Sequence, residues 1–88
     1  MRYLESFQDK QPDKSAVDMW QNYIEQQYSD KIFDTEFGKM VQIDDKTYFL
    51  NNKTDVVNRM FFEISNNIRG KIHEPSLRRA IKNWINNI

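Results

Sequence analysis

The sequence predicts an α+β domain in which a two-stranded antiparallel hairpin packs on three helices, in the order α-β-β-α-α. Three observations carry this prediction. Apolar residues recur at helical spacing up to Tyr28 and again from Val56; between those stretches the period falls to two; and turn-forming residues stand where the period changes.

The elements follow in chain order. Tyr3, Leu4 and Phe7 stand at i, i+1 and i+4, which suits a short extra N-terminal helix of one or two turns. The polar stretch Gln8-Asp9-Lys10-Gln11-Pro12-Asp13-Lys14 ends it, so residues 1–14 read as a short helix plus polar linker within a single domain, 1–88. Ser15 is placed to cap the next helix, with Asp18 adding a carboxylate to its positive first turn. Ala16, Trp20, Tyr23, Ile24 and Tyr28 then mark a helix over about 16–29. From Glu36 the residues alternate: Phe37, Lys39, Val41 and Ile43 against Gly38, Met40 and Gln42. After Asp44-Asp45 the run Lys46-Thr47-Tyr48-Phe49-Leu50 is β-branched and aromatic, so the two runs form a hairpin. Asp-Asp is a poor two-residue turn, which favours a loop longer by one or two residues.

Thr54 and Asp55 open a helix striped by Val56, Val57, Met60, Phe61, Ile64 and Ile68, with Gly70 as its stop. Pro75 suits the first position of a last helix, whose apolar face is Leu77, Ala80, Ile81, Trp84, Ile85 and Ile88.

Composition narrows the function classes. Twelve aromatic residues in 88 can furnish a core for a short chain, each ring burying roughly 150–250 Å². No cysteine is present, which excludes a disulfide framework and a thiolate zinc site. The longest apolar runs are three residues, such as Met60-Phe61-Phe62, far short of the ~20 that cross a bilayer. The N-terminal residues carry no signal-peptide pattern, so the expectation is a cytoplasmic protein without a membrane partner.

Catalytic motifs are missing. His73 is the only imidazole, no Ser or Thr stands in a nucleophile motif, and no glycine-rich phosphate loop occurs. His73 reads as a linker residue beside Gly70 and Pro75. Asp44 and Asp45, adjacent in a turn, lack the further carboxylates a cation needs. The expectation is a binding protein, not an enzyme, with no cofactor and no metal.

Net charge is zero but polarised along the chain. Residues 1–45 hold ten acidic and five basic residues, and residues 46–88 hold three acidic and eight basic. Such asymmetry suits either a polyanion-facing surface or two halves that attract each other in the fold. On the last helix Arg78 and Lys82 are four apart, with Arg79, Asn83 and Asn86 nearby on the solvent side, and Arg69 and Lys71 precede the turn. These residues compose a candidate ridge for DNA or RNA, cations meeting phosphates and Asn reaching base edges. The bland account is an ordinary solvated helix face, in keeping with a pI near 6.6. A DNA-mimic role for the first half fails, because its acids are spread out and interleaved with lysine.

A third reading rests on aromatics. Tyr23, Tyr28, Tyr48 and Phe62, with Met19, exceed what one small core absorbs, and surplus Tyr, Phe and Met compose protein interfaces. They would serve a protein inhibitor or adaptor that blocks a host or defence protein, or else a homodimer. Nine Asn, nine Ile and eight Lys further suggest an AT-rich coding sequence, as in many phages, plasmids and low-GC bacteria.

From about residue 16 onward the order of parts resembles the small non-catalytic accessory domain ahead of the helicase in phage, plasmid and poxvirus-type primase–helicases. The matching stretch is Phe37-Gly38-Lys39-Met40-Val41-Gln42-Ile43-Asp44-Asp45-Lys46-Thr47-Tyr48-Phe49, followed by the stripes Val56–Ile68 and Leu77–Ile88. Met40 stands where an aromatic is common, and no primase or ATPase motif accompanies it. The resemblance implies a replication-associated accessory role, with nucleic acid or a replication protein as partner.

Overall fold

The computed structural model describes residues 11–88, and the candidate helix on Tyr3, Leu4 and Phe7 lies outside them. The elements are α1 (Lys14–Tyr28), a single 3-10 turn (Ser29–Lys31), β1 (Ile32–Thr35), β2 (Gly38–Ile43), β3 (Lys46–Phe49), α2 (Lys53–Asn67) and α3 (Glu74–Asn86). The class is α+β, with three strands where two were expected. The sheet is a meander, β1-β2-β3, antiparallel throughout.

The missed strand is the four-residue run Ile32-Phe33-Asp34-Thr35. It is too short to announce a period, and its pairing with β2 completes it. Phe37 is therefore not a strand residue but the tip of the β1–β2 turn. Thr35 ties that turn from both sides: its Oγ1 accepts from the Phe37 N–H at 3.1 Å and donates to the Gly38 carbonyl at 2.7 Å. Gly38 follows at φ 129, which an L side chain rarely adopts.

The β2–β3 turn is tighter than expected. Ile43 pairs directly with Lys46, leaving Asp44 and Asp45 as a two-residue loop. Asp44 takes φ 60, which its short polar side chain tolerates better than most.

Helix starts also differ in detail. Asp13, not Ser15, caps α1, its carboxylate accepting from the Ser15 N–H at 3.1 Å. Asn52 precedes α2 and donates to Asp55 at 2.7 Å instead of capping the helix. His73 is the N-cap residue of α3, with Pro75 in the first turn; its Nδ1 lies 2.6 Å from Ser76 Oγ. Ser76 is fully buried, and its hydroxyl accepts from the Asp13 N–H at 2.8 Å, joining the two helix starts.

The sheet turns Val41 and Ile43 inward, with Ile32 and Tyr48 beside them, onto α1 and α2. Helix α3 packs along α1 and α2, burying Leu77, Ala80, Ile81, Trp84 and Ile85. Two carboxylates cross-link the helices. Glu25 accepts from the Trp84 indole N–H at 2.7 Å, and Glu63 accepts from the Tyr28 hydroxyl. Burial, then the neighbouring Glu63 carboxylate, push the Tyr28 phenol far above its ordinary range, so it stays a protonated donor.

Candidate functional site

Helices α2 and α3 run antiparallel. The start of α2 therefore meets the end of α3, and Lys53 Nζ donates to Asn86 Oδ1 at 2.7 Å. Between the helices lies a groove of about 290 Å³ lined by Lys53, Thr54, Val57, Asn58, Arg78, Lys82 and Asn86. Three cations line it and no carboxylate does. Electrostatically it is a site for an anion, with amides and a hydroxyl to complete hydrogen bonding.

Arg78 is held in place from three sides. Its Nε donates to Glu74 Oε2 at 2.9 Å, its Nη1 donates to Asn58 Oδ1 at 2.8 Å, and its guanidinium lies 4.4 Å from the Phe61 ring centroid. The pairing with Glu74 is an exposed i,i+4 contact worth about 0.3–0.5 kcal/mol, too little to keep the guanidinium from a phosphate. Among the described residues the other ion pair is Lys39–Asp34, at 3.5 Å across β1 and β2.

The seven residues of the expected basic ridge separate. Arg78, Lys82 and Asn86 share the groove. Arg79, one position further round α3, is exposed and lies outside the groove lining. Arg69 and Lys71 are exposed in the connection 68–73. Asn83 faces the other way, its Nδ2 donating to Gln21 Oε1 on α1 at 3.1 Å. Lys53 and Asn58 are the members sequence reading missed. Lys53 lies far from Arg78 along the chain, and only the antiparallel pairing of the helices brings them together.

On the opposite flank of α2 lies a shallower recess of about 460 Å³, lined by Lys46, Tyr48, Asp55, Asn58, Arg59 and Phe62. Asn58 lines both recesses. Phe62 is 58% exposed, with the Arg59 guanidinium 5.8 Å from its ring centroid.

Of the four aromatics considered as protein anchors, only Tyr48 and Phe62 line one recess together. Tyr28 is buried in the core, and Tyr23 is half-buried, edge-on to Trp20 at 5.6 Å between centroids. Other exposed apolar side chains lie on the sheet. Phe33, Met40 and Phe49 are direct cross-strand partners, so they form one row on the sheet face turned from the helices. Phe33 and Phe49 are 42% and 38% exposed, and Phe37 stands out at the adjacent turn.

Among the described residues no group of three or more His, Cys, Asp or Glu is arranged to hold a metal ion. None of their helices is long and apolar enough to cross a membrane. Comparison with family models, curated proteins and solved structures finds no match.

Proposed function

We propose that this chain is a small non-enzymatic binding module that associates with nucleic acid through the groove between α2 and α3, in the accessory role its resemblance implies. One observation carries the reading: Lys53, Arg78 and Lys82 converge on a groove whose lining holds no carboxylate. Phosphate is the abundant anion that such a cluster recognises, and Arg78 is already immobilised for it. Arg79, Arg69 and Lys71 are exposed and lie outside the groove lining.

The test is Lys53→Glu combined with Lys82→Glu. Both residues are exposed, so the helical circular dichroism should persist. Fluorescence anisotropy with a labelled oligonucleotide at low salt should show at least a tenfold loss. Equal binding by the variant and the parent removes the groove from the reading.

A second reading, a protein inhibitor or adaptor, is favoured by the Phe33–Met40–Phe49 row, since exposed contiguous apolar surface marks protein interfaces. It requires that one protein partner be recovered from nuclease-treated lysate and be lost on Phe33→Lys.

A further inference from the structure

The two recesses flanking α2 differ in chemistry. The groove toward α3 is cationic and polar. The one toward β3 adds two aromatic side chains, Tyr48 and the exposed Phe62, to two further cations, Lys46 and Arg59. Together the linings hold five basic residues and a single acid, Asp55, which is already engaged by the Asn52 amide. Asn58 belongs to both linings and lies on the ridge between them, one helical turn before Phe62. A helix is only about 10 Å across with its side chains, so an extended ligand can lie over the ridge and reach both recesses.

Duplex and single strand make different demands on such a surface. A duplex offers phosphates along a rigid cylinder and keeps its bases stacked inside, where Phe62 and Tyr48 find nothing to pair with. A single strand presents phosphates and unstacked bases together, and aromatic side chains beside a cationic groove suit both. Arg59, in contact with the Phe62 ring, supplies a second planar group for stacking.

We infer that the ligand of this surface is single-stranded nucleic acid, its phosphates lodged between Lys53, Arg78 and Lys82 and a base stacked on Phe62. The inference rests on the nucleic-acid reading above. It adds the form of the ligand and the residue that selects it.

The experiment compares a fluorescein-labelled oligothymidylate of about 15 nucleotides, within the span such modules occupy, with a duplex of equal length. Anisotropy titrations at low salt should show the single strand bound at least tenfold more tightly. Phe62→Ala should weaken oligothymidylate binding about tenfold, the effect of losing one stacked base. Phe37→Ala, an exposed ring at the β1–β2 turn and outside both recess linings, should change nothing. Equal affinity for the two probes, or an unchanged affinity in Phe62→Ala, overturns the single-strand inference and leaves the groove reading intact. No binding of either probe overturns both.

Discussion

Replacing Tyr28 by Phe isolates one hydrogen bond in the middle of the fold. Tyr28 is 3% exposed, and its hydroxyl donates to the carboxylate of Glu63 on α2, joining the end of α1 to that helix. A hydrogen bond to a charged group contributes roughly 1.5–3 kcal/mol when buried. Glu63 is half-buried and regains some water once the hydroxyl is gone, which brings the expected loss to about 1–2 kcal/mol. For a domain of this size that lowers Tm by about 5–15 °C. Urea denaturation followed by circular dichroism reads the change, and the double variant with Glu63→Gln should lose less than the two single losses added together. The same bond sets a pH signature. The folded phenol titrates far above the ordinary value near 10, so the unfolded chain ionises first. The stabilisation is therefore complete below about pH 10 and is lost as pH rises above it, at up to about 1.4 kcal/mol per pH unit. Tyr28→Phe should remove that part of the slope. A variant within about 0.5 kcal/mol of the parent, with an unchanged alkaline slope, refutes the placement of Tyr28 in the core.

Two other outcomes follow from the same structure. Gly38→Ala should cost about 1–3 kcal/mol in chemical denaturation, because φ 129 is strained for alanine although no atom lies within 4 Å of the added carbon; a neutral result would mean that the β1–β2 turn adopts another geometry. If the five cations of the two recesses all meet phosphates, the log–log salt slope for a single strand is about −3.5, roughly a hundredfold loss of affinity between 50 and 200 mM salt. A slope near −1 in the same titrations would show that most of those cations stand apart from the ligand.

Periodicity alone determined the three helices within residues 11–88 and the β2–β3 hairpin. Val56, Met60 and Ile64 recur with helical spacing and are buried together, and Leu77, Ala80, Ile81 and Trp84 do the same on α3. Such signals are local, since one buried face must repeat at the helical period. The third strand was not legible, because four residues carry no period and Ile32–Thr35 becomes a strand only by pairing with β2. Sequence reading also placed Arg78 and Lys82 together, one helical turn apart. Tertiary structure alone decided the rest: Lys53 joins them across the helix pair, Asn83 turns away to Gln21, and Tyr28 is interior. A helical repeat says which residues share a face. Which faces meet depends on the connection 68–73 folding α3 back along α2, and that brings together residues far apart in the chain.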